Sequence, residues 1–570
     1  IVMMPDKSGE FIKSLPVTII ATLVFSLLIA LTLSPLIASL IFRADKSKKT
    51  TKTLAKGFQK LLNRLIEGPY RNSLNFALNN RALTIIVAIL VLGFSVFLFQ
   101  FVGISFFPKA EKPQFMLRVD MPEGTSLDKT DEVTHYVESV LDTIPDVKYY
   151  ASNVGYGNPR IYYNIWPKDE AKNYAEIFVQ LHEYEVEEFY DLIEGLRDFF
   201  RTYAGAKITV KEFEQGAPIQ APVMIYVYGN NLDQLRDISA EVEEMVKEQA
   251  GAINIENQLS KQKTELYFNI NREKAGMLGV PLHTIDQTIR TAVHGTTISQ
   301  FRDEKGEEYD IVLRLDTEED VNTRDFDRIY VTSVTDKQIP IKQLASIEFK
   351  EAPSLVTRYN LDRTALITAD VRKGYTLDEI MNPVLEELDQ YNFPSGYGYY
   401  IGGELESRQE SFGGMQVAIV IALISIFAVL VLQFRSFVQP LIIYAAIPFA
   451  LIGVIWALFI TGYTFSFSAF IGLISLVGIV INNSIILVDY TNQLKGSGKS
   501  IMEALKEAGE TRFTPIILTT LTTIGGLLPL TLAGGSMWAP MGWTIIGGLL
   551  VSTMLSLIVV PVLYGVLVRR

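Results

Sequence analysis

The 570-residue chain has no cysteine and only four histidines. Without cysteine there is no disulfide and no thiolate metal site, and the redox compartment stays open. His135, His182, His283 and His294 are scattered with no ligand spacing, so no metal site is expected. No P-loop, catalytic triad or glycosidase-like carboxylate pair is present, which leaves neither ATP-driven transport nor hydrolysis a motif to rest on. The opening, IVMMPDKSGEF, carries no initiator methionine and no secretory signal pattern, and reads as a piece of something longer.

Apolar residues are not scarce: they make up 49% of the chain. They concentrate in seven windows, at 15–42, 83–103, 414–434, 437–461, 467–490, 515–532 and 541–568. A helix needs about 20 residues to cross a ~30 Å hydrocarbon core, so each window predicts a membrane span. Basic residues set the orientation. The stretch 43–81 holds ten of them, Lys495, Lys499, Lys506 and Arg512 follow the fifth window, and the chain ends in Arg569 and Arg570. All fall on one side of the membrane if the chain crosses seven times, which leaves residues 104–412 on the other. That block has 32 Lys and Arg against 55 Asp and Glu, a net charge of −23, and an acidity of this size argues against a nucleic-acid partner.

The acidic block reads as strand–helix–strand cycles. QFMLRVDM alternates as a strand, and SLDKTDEVTHYVESVLDTI follows at helical spacing with Ser126 as its cap. VKYYASNV, RIYYNIW, AEIFVQL and KITVKEF are read as further strands around the helix EEFYDLIEGLRDFF, and a second set of cycles begins after EQGAPIQAP. The predicted fold is an α-helical transmembrane bundle plus α+β modules built of ferredoxin-like βαβ units, with an inserted subdomain at 272–356. The modules are placed at 104–221 and, split by the insertion, at 222–271 and 357–412.

Two places carry chemistry. GIVINNSIILVDY sets Asn482 and Asn483 in the middle of a greasy helix, where amides must find hydrogen bonds inside a bundle. No Asp or Glu lies mid-span in any of the seven windows. Asp489 follows Asn482 by seven residues, on nearly the same face and ~10 Å further toward the interface. This chain alone should therefore not couple proton flow. The bland alternative is that the asparagines and LTTLTTIGG only tie helices together, as polar and small residues do in bilayers. The second place is 148–166, where Tyr149, Tyr150, Tyr156, Tyr162, Tyr163 and Trp166 surround the loop NVGYGNPR. As a strand, RIYYNIW would put Tyr162 and Trp166 on one face. Such a cluster makes an adaptable amphipathic pocket or ordinary core packing.

Taken together these strings resemble the C-terminal half of a resistance–nodulation–division (RND) efflux transporter of the hydrophobe/amphiphile type. LPVTIIATLVFSLLIALTLSPLIASL is similar to the family's sixth helix, and VGISFFPKAEKPQFMLRVDMPEGTSL to the exit of its seventh into a porter module. REKAGMLGVPLHTI resembles the start of the docking subdomain, and GIVINNSIILVDYTNQ with EALKEAGETRFTPIILTTLTTIGGLLPL the tenth and eleventh helices. On this resemblance residues 1–42 are a periplasmic stub and helix six, 43–82 a cytoplasmic loop, 83–103 helix seven, and 413–570 helices eight to twelve.

The resemblance implies a trimeric inner-membrane pump driven by the proton-motive force, with no other cofactor. It would pass small amphiphilic compounds toward an outer-membrane channel through a periplasmic adaptor. It implies that the proton-carrying aspartates sit on a helix absent here, with Asn482 and Asn483 as their hydrogen-bond partners and Asp489, Arg512 and Thr519 completing the relay. A lysine often stands where this chain has Asn482, although some branches carry the Asn–Asn pair. The same resemblance puts Tyr150 and Tyr156 near the phenylalanines of the family's drug pocket, with Tyr162, Tyr163 and Trp166 beside them, and makes Gly155, Gly157 and Pro159 a switch loop. Export of a lipid or envelope component, or of metal ions, is the alternative; Met116, Met121 and Met224 form no evident triad.

Overall fold

A computed structural model describes residues 7–44, 63–316 and 324–568. Most of the basic stretch read at 43–81, namely 45–62, and the terminal Arg569 and Arg570 lie outside the described residues. The chain forms two compact units: Leu259–Val356, and the described residues before and after it.

In the larger unit, β1 (Gln114–Asp120), β2 (Val147–Val154), β3 (Tyr174–Leu181) and β4 (Lys207–Glu212) make one antiparallel sheet in the order β2-β3-β1-β4. Two helices, Leu127–Leu141 after β1 and Val186–Arg201 after β3, cover one face. The Ser126 hydroxyl caps the first by accepting from the Lys129 amide. Phe115, Leu117 and Val119 of β1 point to that face and pack with Val133, Val137, Leu141, Phe189, Ile193 and Phe200. The period of two then sends Met116 and Arg118 to the opposite face.

A second sheet follows. The strand Asp362–Val371 pairs with Thr357–Tyr359, Val223–Tyr228 and Ala252–Asn257, and Val223–Tyr228 pairs in turn with Gly398–Gly402. Its helices, Leu232–Lys247 and Leu377–Gln390, start at Asn231 and at a Thr376–Glu379 capping box.

Among the described residues seven helices are long and apolar enough to cross a membrane: Ser14–Ile41, Arg81–Phe101, Gly403–Phe434, Val438–Thr461, Phe467–Gly496, Ile501–Ala533 and Gly535–Leu567, called here the first to seventh spans. The third, fifth and sixth run past their apolar windows into ELESRQESFGG, TNQLKG and IMEALKEAGETRFT; the first of these extensions is tied to neighbouring elements, with Glu404 accepting from the Phe106 amide, Glu406 from Tyr359, and Arg408 paired with Asp378. The fourth is broken at Ala445, between Val438–Tyr444 and Ala446–Thr461. Pro448 explains the break, since it gives no amide to the carbonyl of Tyr444 four residues earlier.

The seventh span is the hub. A Cβ on Gly453 of the fourth span would lie 2.0 Å from the Gly547 carbonyl oxygen, so these two helices touch backbone to backbone. The first span shows its apolar side chains outward, Leu31 being 69% exposed. Ahead of the second span, the short helix Arg71–Asn79 and the turn before it bury Tyr70, Leu74 and Leu78 against the sixth and seventh spans, and Arg71 forks onto Glu510 at 2.5 and 2.7 Å.

The smaller unit pairs Gln262–Ile270 with Ala345–Pro353 and Thr296–Arg302 with Glu308–Leu313. Ile285, Phe326, Val331 and Leu344 sit at its core. The strand Gln262–Ile270, assigned above to the second module, belongs to this unit.

Candidate functional site

The fifth, sixth and seventh spans carry the polar residues singled out in the sequence. Consecutive residues on a helix point ~100° apart, so Asn482 and Asn483 cannot face the same neighbours. Asn483 is buried and its Nδ2 donates to Thr553 Oγ1 of the seventh span at 3.3 Å. Thr553 also shares a 3.0 Å hydrogen bond with Thr520 Oγ1 of the sixth. Asn482 is exposed and has no partner among the described residues.

Thr519, next to Thr520, is likewise exposed, and its hydroxyl donates only to its own helix, to the Ile516 carbonyl at 2.8 Å. Asp489 accepts from Gln493 Nε2 one turn on, at 2.8 Å. Arg512 lays its guanidinium over the Tyr490 ring, and its Nε has no hydrogen-bond partner among the described residues. Asn483 is thus joined to the sixth and seventh spans, whereas Asn482, Asp489, Arg512 and Thr519 make no hydrogen bond with one another. A second polar tie, missed in the sequence, links Gln439, Asn492 and Tyr564 across the fourth, fifth and seventh spans, with Tyr564 donating to Asn492 Oδ1 at 2.7 Å.

On the soluble side the aromatic cluster is dispersed. RIYYNIW is a bend and turn, not a strand, and Tyr162 and Trp166 do not share a strand face. The Ile165 amide closes onto the Tyr162 carbonyl at 3.3 Å, and Asn164 Nδ2 donates to the Glu214 carbonyl at 2.9 Å. Tyr162 is buried against Phe213. Tyr163 stacks on Phe11, and its hydroxyl accepts from the Gly216 amide at 2.7 Å. Trp166 is 65% exposed, with the Arg160 guanidinium 4.5 Å from its ring. Tyr150 lies apart, donating to Asp142 at 3.0 Å, and Tyr156 is exposed.

The loop itself is tightly held. Gly155 adopts φ +89° and bonds Tyr174 and Ala171 backbone groups at 2.8 Å, and a Cβ on Gly157 would lie 2.4 Å from the Lys168 nitrogen. Pro159 is exposed beside the buried Asn158, whose amide donates to Glu176.

Trp166 borders a cleft of about 290 Å³ on the open face of the first sheet, whose lining includes Met116, Arg118, Lys211 and Glu214 from the first module and Asp370 from the second. Lys211 meets Asp370 at 3.5 Å, Arg197 meets Glu212 at 3.3 Å, and Lys109 bonds both Glu212 and the Val371 carbonyl. Burial pushes the Glu214 carboxyl up to about 7, helped by Asp370 and opposed by Lys109 and Lys211. Burial acts the same way on Asp370, but Lys211, an Asn254 hydrogen bond, Lys109 and Arg118 outweigh it and hold that carboxyl below its ordinary value. The sequence signal for this cleft was a charge, Arg118, in the middle of an otherwise apolar central strand.

The profile of the AcrB/AcrD/AcrF family matches residues 1–568. The chain belongs to this family of RND transporters. Among curated relatives, it is 27% identical over 575 residues to the swarming motility protein SwrC of Bacillus subtilis (strain 168), covering 100% of this chain and 53% of that protein. It is 25% identical over 576 residues to the multidrug resistance protein MdtC of Proteus mirabilis (strain HI4320), covering 99% and 54%. The chain thus spans about half the length of these relatives. Its fold is similar to that of a heavy metal efflux pump solved in two crystal forms. The TM-scores are 0.72 and 0.73 at 22% and 21% identity, and 90% and 89% of this chain align with 52% of each. As an RND-family chain with seven apolar helices it is a multi-pass membrane protein of a transporter family, not an enzyme.

Proposed function

We propose that the chain is the C-terminal half of a proton-driven pump exporting amphiphilic organic compounds. The observation that carries this reading is Asn482, exposed and without a side-chain partner among the described residues in the middle of an apolar 30-residue helix of a transporter-family chain. In hydrocarbon such an amide is costly unless a polar group from elsewhere meets it. In the complete pump, a carboxylate pair on a helix of the other half supplies that group, and Thr519 and Arg512 line the same relay. The energy is sufficient: one proton moving through 100 mV releases ~2.3 kcal/mol, about a fiftyfold concentration ratio when fully coupled.

On this reading the two α/β sheets are ferredoxin-like periplasmic porter modules, and the smaller unit docks an adaptor and outer-membrane channel within a homotrimer in the inner membrane. The cleft beside Trp166, part apolar and part charged, suits amphiphiles. The deciding experiment is Asn482→Leu in the complete pump, followed by dye export under an imposed proton gradient. Export is expected to fail with assembly intact, and normal export overturns the reading. Purified pump that binds copper or silver and no dye would shift the substrate to metal ions.

A further inference from the structure

We infer that Asn483, Thr520 and Thr553 form a rotational clamp: a three-helix hydrogen-bonded knot that turns the fifth and sixth spans so that Asn482 and Thr519 face outward together. The inference rests on the proposed relay role of those two residues, and assigns the job of presenting them to neighbours that take no part in it.

The fifth span is Ile, Val, Leu and Gly nearly all the way round between Ile471 and Val488. A helix apolar on every side has no stripe to select one rotation about its axis. Apolar packing in a bilayer is also weakly directional, because lipid tails satisfy Leu as well as another helix does. Asn483 removes the degeneracy. Among the described residues its amide donates to one acceptor, Thr553 Oγ1, and a rotation of the helix that breaks this bond turns the amide toward apolar surroundings, where an unmade hydrogen bond is costly.

Thr553, 1% exposed, is the centre of the knot because it touches both other members. Thr520 fixes the sixth span in the same way. Asn483 and Thr520 are 6% and 4% exposed, and each is preceded by an outward-facing neighbour, Asn482 and Thr519. Other buried hydroxyls nearby, Ser484 Oγ and Ser556 Oγ, have no partner among the described residues. Polarity alone does not make the contact; the register at Thr553 does.

The test uses the complete transporter in membranes, with single cysteine reporters at Asn482 or Ile481 placed in this otherwise cysteine-free chain. Labelling by N-ethylmaleimide is followed by mass spectrometry of the fifth-span peptide. Position 482 is exposed in this chain and Ile481 is 3% exposed; with the clamp intact, cysteine at 482 faces the hydrated relay of the complete transporter and reacts faster than cysteine at 481.

Thr553→Val keeps the shape and deletes the hydroxyl. It is expected to shrink the 482/481 rate ratio by about threefold to tenfold, the range of one interhelical hydrogen bond, and Thr553→Ser should restore it. An unchanged ratio in Thr553→Val overturns the clamp. If Thr553→Val does not accumulate, Thr520→Val, which leaves Asn483 its acceptor, gives the same readout with a smaller change. Dye export by Thr553→Val without reporters separates the two claims. A collapsed ratio with export unaffected keeps the clamp and removes the relay, whereas a collapsed ratio with export lost supports both.

Discussion

Arg512 of the sixth span lies 4.2 Å from the ring of Tyr490 on the fifth. The contact pins a cation near the end of the apolar stretch by the face of an aromatic ring, and the buried guanidinium Nε has no hydrogen-bond partner among the described residues. A cation over an aromatic face is worth ~0.5–2 kcal/mol, the upper end applying where water is excluded. Tyr490→Leu should therefore lower the thermal midpoint of the detergent-solubilised transporter measurably, and Tyr490→Phe should not. Equal losses in the two variants would mean that the hydroxyl, not the ring, holds Arg512.

The backbone contact of the fourth and seventh spans makes a sharper prediction. A methyl at Gly453 would meet the Gly547 oxygen at 2.0 Å, with the next carbon at 2.6 Å. Neither helix has a flexible side chain to move aside, so Gly453→Ala forces the pair apart. The expected cost is ~1–3 kcal/mol or more, read as loss of folded protein in size-exclusion profiles. Gly478→Ala, on the fifth span where nothing lies within 4 Å, should be harmless by the same assay.

These contrasts explain which parts of the molecule could be read from the sequence. Hydropathy is a one-dimensional signal, so the seven spans were legible, whereas the kink at Ala445 needed the single clue of Pro448. The two asparagines looked alike because periodicity says that neighbours face different ways but not which one faces in; Thr553 decides that, 70 residues away. RIYYNIW misled because its alternation comes from aromatic anchors set around a turn. Tyr162 packs on Phe213 and Tyr163 on Phe11, contacts made by a folded loop and not by a pleat. Glu214 gave no local sign of its surroundings, since Lys109 and Asp370 reach it from distant segments.

Glu214 predicts a pH dependence. Its folded value of about 7 stands above the ordinary 4.5, so the folded state holds this proton more tightly than the unfolded chain does. Stability from this group is complete below the ordinary value and is lost as pH rises through the window up to about 7. Each pH unit in that window costs at most ~1.4 kcal/mol, less to the extent that water enters the cleft. Glu214→Gln should make the thermal midpoint fall less steeply between pH 5 and 7 and raise it at pH 8. A wild-type midpoint that instead climbs across the window would show that Lys109 and Lys211 dominate the site.

Tyr162 and Trp166 divide packing from binding on one loop. Tyr162 is 9% exposed in a small core with Met116 and Phe213, so Tyr162→Ala leaves a cavity and should cost ~3 kcal/mol or more, seen as a lower thermal midpoint. Trp166 is 65% exposed, has the Arg160 guanidinium over its ring, and borders the cleft. Trp166→Ala should leave the midpoint nearly unchanged and weaken dye binding to the purified pump several-fold, since a large aromatic at a pocket rim supplies contact area to an apolar ligand. If dye affinity follows Tyr162→Ala and ignores Trp166→Ala after correction for folded protein, substrate does not use this cleft, and the exposed Tyr156 across the loop becomes the residue to test.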